Sequence, residues 1–206
     1  TDGNGFLQYL YLLASLYNGK SPAVHLQNKR EIAPLLKNIH VQPPTVQTRR
    51  GRYTAVPPLR PVSNGKNYFW LNCSITSDDL TALQAKAKKC GVSLNDVFMT
   101  AYVRVIARLQ HINKVVIPCP ADLRRFQSEP DHLTIANMRL YFKNIDVVSC
   151  SLAGTFRLPP YFQLTISTFR DVCTFNCTLA GSAGDEIIGQ QILEQVKSEL
   201  LAWLTE

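Results

Sequence analysis

Asp2 and Gly3 stand just before the apolar run over residues 6–17, where a helix begins with unpaired backbone N–H groups and glycine permits close approach of another segment. A carboxylate at that point has two possible tasks. It caps the helix, or it pairs with a cation brought from elsewhere. Arg124 and Arg125 can supply the cation, because they follow Val115-Val116-Ile117-Pro118, a short apolar run of strand type. A guanidinium turned inward there would hold Asp2 in a bidentate pair; with both arginines in solvent, Asp2 is left as a cap. Asn137 and Ser167 are each a polar residue inside an otherwise apolar, strand-like segment. If buried they need hydrogen-bond partners. A place on a strand edge or toward solvent accounts for them equally well.

Other chemistry-bearing residues point away from metals. His25, His40, His111 and His132 have no ligand-like spacing to one another or to cysteine. The six cysteines are scattered and include no Cys-x-x-Cys pair. Cys173 and Cys177, four apart on a strand, share a face and read as small buried hydrophobes. The expectation is a reducing, cytoplasmic setting with no structural metal.

The net charge of +7 draws partly on Arg49-Arg50-Gly51-Arg52 and on Lys86, Lys88 and Lys89. Without interleaved aromatics or a reading helix, this is a solvated surface rather than a nucleic-acid interface. A basic rim that attracts a phosphorylated ligand stays open. Apolar residues make up 46% of the chain and charged ones 18%, enough for a real core. No run approaches the ~20 apolar residues that span a bilayer, and no secretory signal pattern is present.

The elements that must position these residues follow from periodicity. Phe6, Leu10, Leu13 and Tyr17 share a helical face, and Asn18-Gly19 supplies the stop. From Lys20 to Asn67, prolines exclude long helices and central strands, leaving a single helical turn near Glu31–Lys37. So long an irregular stretch points to a crossover around another subdomain or to missing context. Tyr68–Ile75 is a strand. Thr76 then caps a helix with Leu80, Leu83 and Ala87 on one face, ending at Gly91. Ser93 opens a second helix, apolar nearly all round and therefore expected to be deeply buried. Val115–Pro118 and Leu133–Phe142 read as strands. Phe162–Phe169 and Val172–Leu179 form a hairpin across Arg170-Asp171. A closing helix, Asp185 to Leu204, carries Ile188, Ile192, Val196, Leu200 and Trp203 as its stripe. The fold class is α/β, a mixed sheet covered by helices. Residues 1–66 form a motif helix with a proline-rich crossover, and residues 67–206 the main subdomain.

Three stretches, in this order, carry a resemblance: Asp2-Gly3-Asn4-Gly5-Phe6 before an apolar helix, Gly91-Val92-Ser93-Leu94-Asn95-Asp96-Val97 entering a buried helix, and Pro120-Ala121-Asp122-Leu123-Arg124-Arg125. The chain resembles the acyltransferases related to chloramphenicol acetyltransferase, in their condensation-domain and alcohol-acyltransferase branch. The likeness runs from end to end of the chain and corresponds to about the second half of a family domain. It implies a transferase moving an acyl group from a thioester of coenzyme A, or of a carrier protein's phosphopantetheine arm, to a hydroxyl or amine acceptor, with no further cofactor.

In the family a His-x-x-x-Asp-Gly motif supplies the general base through its His, while its Asp is structural and pairs with an arginine of the second half. On that resemblance Asp2 and Gly3 end the motif, Arg124 is the partner of Asp2, and Asn137 and Ser167 line the substrate tunnel. The His falls four residues before Asp2, outside this chain, so an N-terminal subdomain is the implied partner and the chain alone is expected to be inactive. A binding or scaffold module of the same fold is the alternative. The passage from Asp146 to Gly154 is also shorter than the family's spacing between the equivalents of Phe142 and Phe162 implies.

Overall fold

The computed structural model describes residues 3–21, 58–59, 67–115, 117, 140–157 and 161–206, with residues 3–7 described through their backbone only. The chain divides into two units, Thr1–Gln47 with Pro118–Val148 and Thr48–Ile117 with Ser149–Glu206.

In the first unit, α1 (Gly3–Tyr17) ends as its sequence dictates. Gly19 takes φ +75°; its N–H bonds to the Leu16 carbonyl and that of Lys20 to the Ser15 carbonyl, each at 3.0 Å, closing a Schellman motif. The buried line of this helix is not the one its spacing picks out. Ala14 and Ser15 are buried, while Leu13 and Tyr17 are about half exposed, at 46% and 54%. A 3.6-residue period fits either phase, and here the small residues lie inward. Tyr17 instead meets Phe142 edge-on with ring centroids 5.3 Å apart. Asn18 fixes the same turn, donating to the Tyr141 carbonyl and accepting from the Lys143 N–H, both at 2.7 Å. The strand expected over Leu133–Phe142 lies mostly outside the described residues. Its described end is irregular, and Phe142 makes only an isolated bridge to Ile145 around Asn144, which has φ +64°.

The second unit holds β1 (Asn67–Ile75), α2 (Ser77–Lys89), α3 (Leu94–Gln110), β2 (Thr165–Phe169), β3 (Val172–Gly181) and α4 (Ala183–Thr205). Among the described residues, then, the protein is four helices and a three-stranded sheet of order β1-β3-β2. Its ladders are antiparallel rather than mixed, and the one parallel contact is an isolated bridge between Arg157 and Leu179. That bridge explains why β2 begins at Thr165 and not at Phe162: Arg157 bonds the edge of β3 beyond Asn176. β3 runs on to Gly181 because all of β1 pairs with it, Asn67 with Gly181 through Ile75 with Cys173. Val115 and Ile117, expected in a strand, are irregular.

The register puts Leu71, Cys73, Ile75, Cys173, Phe175, Cys177 and Leu179 on one buried face. Leu80, Leu83 and Ala87 of α2, Val97, Ala101, Val105 and Ile106 of α3, and Ile192, Val196 and Leu200 of α4 complete that core. The expectation of a deeply buried α3, apolar nearly all round, holds on one face only. Asn95, Asp96, Thr100, Arg104 and Arg108 form an exposed stripe. The stripe is tied to α4 through Glu199, whose carboxylate takes Arg104 Nε at 2.6 Å and also the Arg108 guanidinium.

Local signals fix the helix ends. Ser93 with Asp96 and Ser182 with Asp185 form capping boxes, and the Thr76 hydroxyl accepts from the Asp79 N–H at 3.2 Å. His111 ends α3 in the left-handed region at φ +53°, a structural task for a histidine that the spacing left without a role.

The hairpin turn places Arg170 at φ +47° and Asp171 at φ +66°, both in the left-handed region that two-residue type I′ turns require. Glycine is the favoured residue at the second position. Asp171→Gly is therefore expected to raise stability by about 0.5–1 kcal/mol, read as an upward shift in the urea midpoint.

Burial pushes the thiols of Cys73 and Cys177 up to about 12, and that of Cys173 upward as well. The sign of the resulting linkage is fixed. From about pH 8.5 the unfolded chain releases thiol protons that the folded chain retains, so stability is full below that pH and falls toward pH 12. Urea midpoints are expected to decline across this window, and Cys177→Val to flatten the decline.

Candidate functional site

Strand alternation sends the other half of each strand's residues to the face opposite the helices. There β1 contributes Tyr68, Trp70, Asn72 and Ser74, β3 contributes Thr174, Asn176 and Thr178, and β2 contributes Thr165 and Ser167. This face is polar, and residues 151–157 lie across part of it. Asn176, fully buried, is the hub: its Oδ1 accepts from Trp70 Nε1 and its Nδ2 donates to the Leu152 carbonyl, both at 3.1 Å. The Leu152 N–H donates to Ser167 Oγ at 3.1 Å. The Thr178 hydroxyl reaches the carbonyls of Gly154 and Thr155 at 2.9 and 3.0 Å. Arg157 then joins the edge of β3 through its backbone, and its Nε donates to Gln163 Oε1 at 2.9 Å. A Cβ at Gly154 would stand 2.9 Å from the Gln163 side-chain amide, the movable end of that side chain.

Ser167 thus lies on this face with its oxygen accepting a backbone N–H. Gly3 is the first residue of α1. Asp2, Arg124 and Asn137 lie outside the described residues, so the Asp2–Arg124 pair and the surroundings of Asn137 do too. Asn176, Thr178 and Trp70 are what the sequence reading missed. The signal was the spacing of Thr174, Asn176 and Thr178 at every second position, which marks the polar face of the same strand whose odd positions build the core. Beside them, Thr165 Oγ1 is buried and has no hydrogen-bond partner among the described residues, and Thr165 pairs across the ladder with Asn176.

Apart from the Arg157 guanidinium, these groups are neutral donors and acceptors. They can orient a carbonyl or hydroxyl, but among the described residues they include no base within reach of a nucleophile. No group of His, Cys, Asp or Glu among the described residues is arranged to hold a metal ion. Part of the basic cluster is committed elsewhere: Lys86 donates to the Trp203 carbonyl and lies 5.1 Å from the centre of its ring.

Removing the hub tests this architecture. Asn176→Ala strips two hydrogen bonds and leaves their partners at a part-buried site, for an expected loss of about 2–3 kcal/mol. Faster limited proteolysis within residues 149–157 is expected to accompany it.

Comparison with known proteins adds no family: no family model matches the chain, and no curated protein matches it.

Proposed function

We propose that the chain contributes the C-terminal part of an acyltransferase of the chloramphenicol-acetyltransferase type, in the condensation-domain and alcohol-acyltransferase branch. It would act on a thioester of coenzyme A or of a carrier protein and on a hydroxyl or amine acceptor. The observation that carries this reading is the joint order of the three motifs, Asp2-Gly3-Asn4-Gly5-Phe6 leading into the apolar run over residues 6–17, Gly91 through Val97 entering α3, and Pro120 through Arg125.

In this reaction the acceptor oxygen or nitrogen attacks the thioester carbonyl, the C–S bond breaks, and the acceptor's proton passes through a general base to the leaving thiolate. The base is a His four residues before Asp2, in a segment that this chain would follow. Asp2 holds the loop ahead of α1 through Arg124 and does not touch the reacting atoms. By the resemblance, Asn137 and Ser167 would each bind substrate. Ser167 suits that role because its oxygen accepts from the Leu152 N–H, which leaves its own O–H to donate to an acyl oxygen.

The second reading is a binding or scaffold module of the same fold. One observation favours it: Asn176 and Thr178 use their side chains to fix residues 151–157. Thiol release from acyl-coenzyme A by the full-length product, with alcohols and amines as acceptors, separates the two. The acyltransferase reading expects release that depends on the acceptor and falls by at least about 10²-fold when the base is replaced. It expects Asp2→Ala to lower turnover and melting temperature together. Lost turnover at an unchanged melting temperature removes the structural role of Asp2. A folded protein that binds the thioester without any acceptor-dependent release establishes the module.

A further inference from the structure

β1 is the outer strand of its sheet, and among the described residues no strand lies on its other side. The direction of its unpaired groups follows from β3. The Thr178 carbonyl and the Ala180 N–H bond to Arg157, at 3.2 and 3.0 Å, on the side of β3 away from β1. In an antiparallel ladder the N–H and C=O of one residue point the same way and successive residues alternate. Trp70 opposite Thr178 and Tyr68 opposite Ala180 are therefore non-hydrogen-bonded pairs. It follows that Tyr68, Trp70, Asn72 and Ser74 turn their main-chain groups outward. The Asn72 carbonyl bears this out, since it accepts from Gln190 Nε2 at 3.1 Å, a side chain reaching the edge from α4.

This edge lacks the usual devices that keep strands apart. No charged residue or proline occurs over residues 67–75. Tyr68 and Trp70 are 65% and 58% exposed beside it. Among the described residues Gln190 is its one plug, and it divides its amide between Asn72 and Glu194.

We propose that β1 pairs antiparallel with β1 of a second copy of this chain, joining the two sheets across a two-fold axis. Charge selects this occupant and this direction. Lys66 precedes the strand, and Asp78 and Asp79 follow it in the first turn of α2. Antiparallel pairing brings the basic end of each strand toward the acidic end of the other, whereas parallel pairing sets like charges together. Centred on Leu71, the pairing places Trp70 opposite the second copy's Asn72, and Tyr68 opposite its Ser74, so each large ring lies beside a small polar residue. Gln190 releases Asn72 and keeps Glu194.

Sedimentation equilibrium of the full-length product over about 1–100 μM tests the pairing. A monomer–dimer equilibrium is expected. Ser74→Pro removes an outward N–H and no bond to β3, and is expected to weaken the dimer at least about tenfold with an unchanged thermal melt. Tyr68→Pro does the same at the start of the strand, where proline is best tolerated, and keeps the test valid if Ser74→Pro fails to fold. Asp78→Lys is expected to weaken the dimer and Lys66→Glu in the same chain to restore it. A monomer at every concentration overturns the proposal, as does parent-like dimerisation of the folded proline variants.

Discussion

Phe175→Ala is expected to lower the stability of the second unit by about 3–5 kcal/mol, the range for emptying a fully buried phenylalanine site. Phe175 lies on the central strand of the sheet and is wholly inaccessible to solvent. Its ring meets Phe98 of α3 edge-on, with centroids 5.5 Å apart and planes at 84°, so the truncation removes an aromatic contact as well as buried area. Helices cover this side of the sheet, and the surrounding groups can close only part of the space left. Both tryptophans, Trp70 and Trp203, belong to this unit, so their fluorescence in a urea titration reads its unfolding directly. A loss below about 1 kcal/mol would mean that the face carrying Phe175 is not the core.

Gly189→Val produces a loss of similar origin and opposite geometry. Gly189 is buried in α4 where the helix passes over the sheet, and a Cβ there would stand 2.5 Å from Leu71 Cδ1 and 3.5 Å from Phe162 Cε2. Two effects compete. An alanine in a helix interior is favoured over glycine by about 1 kcal/mol, while forcing extra atoms into a filled core costs about 1–3 kcal/mol. Leu71 is itself buried and paired with Cys177, which limits its retreat, so overpacking wins. Valine adds two methyl groups and is a poorer helix former, for an expected loss of about 3 kcal/mol. Pairing Gly189→Ala with Leu71→Ala checks the cause: if the contact decides the cost, the double variant loses less than the sum of the singles.

The parts of this protein that announce themselves are those built by near neighbours. Thr76 and Ser93 mark helix starts by their spacing to aspartates three residues on, and Gly19 and Gly91 mark stops; the cap at Ser182 starts the last helix two residues before the expected Asp185. The alternation on either side of Arg170-Asp171 specifies a hairpin. Failures came where a period was right and its phase was decided elsewhere. The α1 stripe fits two registers, and small Ala14 and Ser15 are buried in place of Leu13 and Tyr17. The exposed side of α3 is marked by Asp96, Thr100, Arg104 and Arg108 at every fourth position, while the tie of Arg104 and Arg108 to Glu199, some ninety residues on, is not local. The polar sheet face was invisible for a related reason. Its side chains are satisfied by backbone groups of residues 152–155, a crossing that no local pattern encodes. Of the candidate residues, Ser167 lies on the polar face and accepts the Leu152 N–H, while its neighbour Asn176 carries more of the network.

The acyl-transfer reading therefore rests on motif order, and the geometry bears chiefly on Ser167 and its neighbours. Detecting the product is the most direct test. The full-length protein is incubated with an acyl thioester labelled in its acyl carbon and with a panel of alcohols and amines, and the products are analysed by mass spectrometry. A labelled ester or amide formed together with an equal amount of free thiol is expected. Free thiol released with labelled carboxylic acid alone, or no turnover by the folded protein, would contradict the acyl-transfer reading.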